Sequence, residues 1–205
     1  MNKLYAFLAD GMEEVECLAV VDIARRGGIQ VETVSIMGRR EVTGSHNITV
    51  LADRLFEETD FQAGDTLFLP GGGKGVENLT AHPGLAALLK EAAGRGDRIA
   101  AICAAPSVLG GLGLLEGRTA TSYPTWREKV PCAHWTTQGV VTDGPFTTAR
   151  GLGFAIDLGI ELVRLLIGET EAQTVKERIQ HPEEHKWPMF TSCCPGWLRF
   201  LKSQY

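Results

Sequence analysis

The chain has 205 residues, enough for one large domain or two small ones, and a mild net charge of −5. It has no basic stripe of the kind that binds nucleic acid and no apolar run long enough to cross a membrane. The five scattered cysteines do not form a secreted disulfide framework and the N-terminus does not read as a signal peptide, so we expect a cytoplasmic protein without nucleic-acid or membrane partners.

Strand and helix patterns alternate along the first two-thirds of the chain. Short apolar runs predict buried strands, and longer amphipathic stretches predict helices. In chain order we expect a strand over 3–9, a helix over 13–26, a strand over 30–36, a hairpin over 41–52, a strand over 66–69, a helix over 83–94, a strand ending at Cys103, strands over 119–121 and 139–148, and helices over 153–167 and 169–180. This order predicts an α/β domain over 1–182, with a mostly parallel sheet and helices on both faces, followed by an appended tail over 183–205.

Cys103 lies at a corner between an apolar strand and a helix that has Pro106 in its first turn. Ligands of open α/β sheets collect at the C-terminal ends of the strands, where this corner falls. The unpaired N–H groups of the next helix predict a lowered pKa for the thiol and preferential alkylation of Cys103. The alternative is a small buried hydrophobic residue that ends a core strand.

Glu16 follows the first predicted strand, one turn into the first helix. Its neighbours are apolar, so a side chain directed at the sheet would be buried, with a raised pKa, and would exchange a proton with a thiol or an oxyanion. The alternative is a surface acid, and the residues alone leave both open. Glu13 and Glu14 are expected to be solvated at the helix N-terminus.

A glycine-rich loop follows the strand over 66–69. Gly71 and Gly72 permit a close backbone approach, and their N–H groups together with that of Ala104 predict an oxyanion hole, with a plain turn as the alternative. No histidine has the spacing of a Cys-His dyad, and no pair of side chains has metal-ligand spacing, so no metal is expected.

Four motifs, in this order, resemble the ThiJ/PfpI superfamily in the branch of the Parkinson-disease-associated protein deglycase. They lie at residues 8–16, 69–72, 101–106 and 148–151. The resemblance implies a flavodoxin-like three-layer sandwich that is usually a homodimer. It also implies that Cys103 is the nucleophile, that Glu16 hydrogen-bonds it, and that the backbone near Gly72 completes the pocket.

The same resemblance implies a cofactor-free conversion of 2-oxoaldehydes, such as glyoxal and methylglyoxal, into hydroxyacids. The alternative is a non-enzymatic oxidative-stress sensor or chaperone-like protein that uses the same cysteine. Two departures from the pattern argue against a protease: Ala104 stands where peptidase branches have His, and Tyr123 stands where some members have His. The loop at Arg150 matches the pattern less well, because Leu152 stands where Pro is usual. Tyr123 is then a candidate hydrogen bonder.

The tail has a different resemblance. Residues 188–197 resemble one signature of iron-only hydrogenases, in which a cysteine ligates the active cluster. The other cysteine-bearing signatures are absent, so we expect Cys193 and Cys194 to bind no iron and the apolar tail to dock as a short helix.

Overall fold

The computed structural model describes residues 2–181. The strands in that range are β1 (Leu4–Leu8), β2 (Val31–Ser35), β3 (Glu41–Thr43), β4 (Thr49–Leu51), β5 (Arg54–Leu55), β6 (Thr66–Leu69), β7 (Ile99–Ile102), β8 (Thr119–Ala120), β9 (His134–Trp135), β10 (Val140–Asp143) and β11 (Phe146–Ala149). The α-helices are α1 (Glu14–Arg26), α2 (Gly73–Ala81), α3 (Pro83–Arg95), α4 (Pro106–Gly111), α5 (Ala155–Leu166) and α6 (Glu169–Gln180).

Seven strands form the central sheet, in the order β10-β11-β7-β6-β1-β2-β5. Every neighbouring pair is parallel except β10 and β11, which form an antiparallel hairpin. The carboxyl ends of β1, β6 and β7 therefore meet at one edge of the sheet, where the three loops identified in the sequence leave it.

Two apolar cores lie on opposite faces of this sheet, because successive side chains of a strand point to opposite sides. Leu4, Ala6 and Leu8 of β1 pack with α1, α5 and α6. Tyr5 and Phe7 pack on the other face with α2, α3 and α4. Helices therefore cover both faces of a mostly parallel sheet, as the residue pattern predicts, and the result is the flavodoxin-like three-layer sandwich that the resemblance implies.

The first helix, α1, begins at Glu14, directly after its N-cap residue Glu13. The Glu13 carboxylate accepts a hydrogen bond from the Glu16 N–H at 2.6 Å, which satisfies one of the N-terminal donors of α1. This bond fixes the first turn of α1 directly behind the loop after β1. It thereby sets the position from which the Glu16 side chain reaches the sheet edge.

Two predicted elements differ from the structure. Residues 73–81 form α2, where the glycine-rich run predicts only a loop. The strand expected over 139–148 is the β10–β11 hairpin, which turns at Gly144, whose φ is 61°.

Within residues 2–181 no helix is both long and apolar enough to span a membrane. The predicted tail over 183–205 lies outside the described residues, and its predicted helix stays a prediction.

Candidate active site

Cys103 occupies the corner between β7 and α4. Its φ is 63°, in the left-handed region that residues other than glycine rarely adopt, at a cost of about 1–3 kcal/mol. Two main-chain hydrogen bonds hold this conformation: the Cys103 N–H donates to the Ala149 carbonyl at 2.9 Å, and the Tyr123 N–H donates to the Cys103 carbonyl at 2.8 Å. The partly exposed thiol therefore sits at the C-terminal edge of the sheet, within reach of a substrate.

Glu16 is buried, with only 1% of its surface exposed, so the surface-acid alternative is wrong. Burial raises the pKa of its carboxyl to about 7. Hydrogen bonds from the Cys103 thiol and from the N–H groups of Gly71 and Leu152 favour the ionised form and lower this pKa, but burial has the larger effect. The nearby charge of Glu13 raises this pKa further. Oε2 of Glu16 has no hydrogen-bond partner among the described residues. A buried carboxyl that titrates near neutral pH can both accept and donate a proton at this site.

The two loop glycines are required by close contacts. A Cβ on Gly71 would overlap Oε2 of Glu16 and lie 2.6 Å from the Cys103 Cβ. Gly72 has a φ of 94°, and a Cβ there would overlap the main chain of the loop after β1. The loop after β6 can therefore lie against Glu16 and Cys103 only if both positions are glycine.

The backbone N–H groups divide between the thiol and the carboxyl. Those of Gly72 and Ala104 hydrogen-bond to the Cys103 sulfur, whereas that of Gly71 donates to Glu16. Gly72 and Ala104 thus lie where an oxyanion formed at the sulfur would need donors, and Gly71 serves the carboxyl instead. Their roles in catalysis stay predictions.

The predicted low pKa of Cys103 is wrong. Burial raises the pKa of the thiol to about 12, and the charge and hydrogen bond of Glu16 act in the same direction, outweighing the N–H groups of Gly72 and Ala104. The N–H donors at the corner lower the pKa of the thiol, but burial and the facing Glu16 carboxylate raise it by more, and neither effect is visible in the local sequence. With Glu16 ionised, Cys103 keeps its proton, and the two groups titrate as one coupled pair.

The acids that precede Glu16 have structural roles. Glu14 is 2% exposed, so the prediction that it is solvated is wrong. Its burial would raise the pKa, but hydrogen bonds from the His46 ring and main chain and from the Ile48 N–H lower it to about 2. Glu13, Glu14 and His46 have ligand atoms within 4.8 Å of one another, a group that sequence spacing did not reveal. Because Glu14 is already satisfied by these donors, the group anchors the β3–β4 turn to α1.

A cavity of about 370 Å³ opens beside the Cys103–Glu16 pair. It is lined by residues 123–125 and 150–154, whose backbone donates to both members of the pair through Tyr123 and Leu152. Tyr123 therefore contributes its main chain to Cys103 and its ring to the cavity. The sequence identified the 148–151 motif but missed Leu152 as a donor, since a backbone N–H leaves no signal in the sequence.

A second cavity, of about 580 Å³, lies at the opposite edge of the sheet. Its walls carry ion-paired side chains, among them Lys3, Glu32 and Arg54, and no cysteine. The cavity beside Cys103 is therefore the candidate substrate site.

The fold and the cysteine–carboxylate pair together define a class: a flavodoxin-like α/β protein with a cysteine on a strained corner beside a buried carboxyl. The profile of the DJ-1/PfpI family matches residues 2–165, and the chain belongs to that family. The zebrafish protein "Parkinson disease protein 7 homolog" is 34% identical over 85% of this chain and 95% of its own length. A protein from Thermococcus kodakarensis named a deglycase is 33% identical over 80% of this chain and 99% of its own length.

A plant relative and a solved structure also support membership of the DJ-1/PfpI family. Protein DJ-1 homolog A of Arabidopsis thaliana is 37% identical over 82% of this chain, which spans only 44% of that longer protein. The solved structure of oxidized Toxoplasma gondii DJ-1 superposes with a TM-score of 0.81 at 30% identity, covering 88% of this chain and 98% of that one.

A second profile, the C-terminal domain of the iron-only hydrogenase large subunit, matches residues 128–205. An iron cluster needs several thiolates gathered at one place. Among the described residues, Cys17 is fully buried on the inner face of α1, Cys103 faces Glu16, and no cysteine belongs to a group with metal-ligand geometry. The described donors therefore do not fit such a cluster.

Proposed function

We propose that this protein is a cofactor-independent enzyme of the glyoxalase III or deglycase type, which converts 2-oxoaldehydes such as glyoxal and methylglyoxal into 2-hydroxyacids. The observation that carries the proposal is the buried Glu16 carboxyl, which hydrogen-bonds to the Cys103 thiol and has a pKa of about 7. A general base works best when its pKa is near the operating pH. Family membership and the deglycase name of the Thermococcus relative support the same type of activity.

The first step forms a hemithioacetal. The Cys103 sulfur adds to the aldehyde carbon while its proton passes to the Glu16 carboxylate, which compensates for the high pKa of the resting thiol. The aldehyde oxygen takes up the proton and becomes a hydroxyl. The N–H groups of Gly72 and Ala104 support the negative charge that develops on this oxygen.

The second step moves a hydrogen between the two carbons. Glu16 removes the proton from the carbon bonded to sulfur, which gives an enediol, and a proton then adds to the neighbouring carbon. The first carbon is oxidised to a thioester and the second is reduced to an alcohol, so no external oxidant or reductant is needed. Water hydrolyses the thioester, which releases the 2-hydroxyacid and restores the thiol.

Substitution of the two reacting side chains tests this chemistry. Cys103→Ser and Glu16→Gln should each lower kcat/KM for methylglyoxal by at least about 100-fold, because serine is a weak nucleophile without a strong base and the glutamine amide cannot accept and return a proton. Cys132→Ser is the matched control, since Cys132 is also partly exposed but lies outside the pair, and it should keep wild-type turnover. Near-wild-type turnover by Glu16→Gln would remove Glu16 from the reaction.

One observation also suits an oxidation sensor. The two N–H donors at the Cys103 sulfur would bind the oxygens of a sulfinate. The enzyme proposal requires sustained turnover of methylglyoxal. A protein that gains two oxygen atoms on Cys103 in dilute peroxide, but turns over no aldehyde, would support the sensor instead.

We also propose that two copies pair through the α1 and β3–β4 side of the domain, as members of this family commonly do. Four large apolar side chains are exposed on these elements, namely Val15, Leu18, Ile48 and Leu51. The hydrogen bonds between Glu14 and the β3–β4 turn join the two elements into one surface. An exposed apolar patch of this kind is typical of a protein–protein contact.

Light scattering tests the pairing. Leu51→Lys, at a side chain that is 65% exposed, should convert a dimer into a monomer. Ile167→Lys is the control, because Ile167 is 52% exposed but lies after α5, and it should leave the dimer unchanged. A wild-type protein that is monomeric at micromolar concentration would refute the pairing.

A further inference from the structure

The side groove, which we define as the cavity lined by residues 123–125 and 150–154, has more room than the proposed small aldehydes need. Its volume of about 370 Å³ falls within the range of roughly 300–1,000 Å³ that buries drug-sized ligands. Methylglyoxal places a single methyl group beside its reacting carbons. We propose that the groove holds the branched or extended apolar side chain of a larger 2-oxoaldehyde, an assignment that rests on the proposed function.

The groove is placed to receive that side chain. The Tyr123 N–H bonds to the carbonyl of Cys103, and the Leu152 N–H bonds to the Glu16 carboxyl. A Cβ built on Gly151, which lines the groove, would lie 3.9 Å from Oε1 of Glu16 and 3.3 Å from the Tyr123 ring. The groove therefore adjoins the Cys103–Glu16 pair, and we place in it the substituent on the second carbon of an aldehyde bonded to Cys103. The substituent on that carbon is the only part of the substrate that varies among 2-oxoaldehydes.

The walls of the groove are mainly apolar. Tyr123 and Leu152, which depart from the family pattern, are 47% and 51% exposed. Pro124 and Phe154 add further apolar surface, and Arg150 is the one charged residue of the lining. Large apolar side chains left half-exposed around a cavity favour an apolar occupant, since each methylene buried in such a pocket is worth about tenfold or more in specificity.

Gly153 provides a way to fill the groove without disturbing the Cys103–Glu16 pair. A Cβ on Gly153 would meet no atom within 4 Å, and its backbone is not in the left-handed region. Gly94, in α3, has the same two properties and lies outside the groove. Gly153→Leu and Gly94→Leu are therefore a matched pair that adds the same side chain inside and outside the groove.

The test compares kcat/KM for isobutylglyoxal and methylglyoxal. The wild type should prefer isobutylglyoxal by at least about tenfold, because its substituent has three more carbons than a methyl group and an open groove buries only part of them. Gly153→Leu should reduce this preference at least about fivefold, and Gly94→Leu should retain it. Leu152→Ala, which keeps the backbone N–H, should also reduce the preference by removing one wall. Equal kcat/KM for both aldehydes in the wild type, or an unchanged preference in Gly153→Leu and Leu152→Ala, would overturn the proposal. A higher kcat/KM for an analogue that carries a carboxylate at the branch would also overturn it and would assign the groove to an anion on Arg150.

A second readout does not depend on aldehyde turnover. Mass spectrometry can follow alkylation of Cys103 by iodoacetamide and by its N-isobutyl derivative. The wild type should react several-fold faster with the isobutyl reagent, and Gly153→Leu should lose this advantage. If the isobutyl reagent reacts faster but neither aldehyde is turned over, the result supports an apolar binding site in the groove and contradicts the proposed function. If both reagents react at one rate, the groove assignment fails.

Discussion

Replacing Glu16 by glutamine should make the protein more stable at alkaline pH while it removes activity. The folded protein holds the Glu16 proton up to a pKa of about 7, compared with an ordinary value of 4.5. The proton-bound carboxyl therefore contributes stability below pH 4.5, and this contribution is lost as the pH rises through 7. Over the full shift the loss is about 3 kcal/mol, of which about 2 kcal/mol falls between pH 5 and pH 8.

Urea denaturation at pH 5 and pH 8 measures this loss. The free energy of unfolding of Glu16→Gln, relative to wild type, should rise by about 2 kcal/mol between the two pH values. His46 titrates in both proteins, so its effect cancels in the difference. Asp53→Asn is the control, because the pKa of Asp53 is lowered by its bonds to Thr33 and Arg25 and the carboxylate does not titrate in this window. A difference between Glu16→Gln and wild type that does not change from pH 5 to pH 8 would refute the burial argument.

Three further predictions follow from the same geometry. The kcat/KM for methylglyoxal should rise as the pH passes about 7, since the Glu16 carboxylate must be free to take the Cys103 proton, and a profile flat from pH 5 to pH 8 would contradict this role. Gly71→Ala should lower kcat/KM at least about 100-fold, because its methyl group displaces Glu16 and Cys103, whereas Gly94→Ala should have no effect in the same assay. Deleting residues 183–205 should leave the fold of the remaining domain and its methylglyoxal turnover unchanged; stoichiometric iron and sulfide that disappear on deletion would overturn our interpretation of the tail.

The order of strands and helices was predictable because apolar periodicity is strong in this chain. The strand over 66–69 and the helix over 169–180 match the structure to the residue. The helix α2 was missed, since two of its first three residues, Gly73 and Gly75, have low helix propensity, and the buried side chains of Val76 and Leu79 stabilise it by tertiary packing.

The sequence identified Cys103 and Glu16 as candidates and predicted a raised pKa for Glu16 if its side chain is buried, which the structure confirms, but it predicted the wrong direction for the pKa of Cys103. Cys103 and Glu16 follow from the corner and from the apolar neighbours of the acid. Their pKa values depend on how deeply both are buried and on how close the two groups lie, and neither quantity can be obtained from local sequence. The burial of Glu14 was missed for the same reason, because the turn that satisfies it comes from residues about thirty positions further along the chain.

The formation of lactate from methylglyoxal is the most direct test of the central claim that Cys103 and Glu16 carry out a cofactor-free internal redox reaction. Proton NMR of protein treated with a chelator should show one lactate formed for each methylglyoxal consumed, and Cys103→Ser should form none above the buffer control. Methylglyoxal that persists with the wild type, or lactate formed at equal rates by the wild type and Cys103→Ser, would contradict the account.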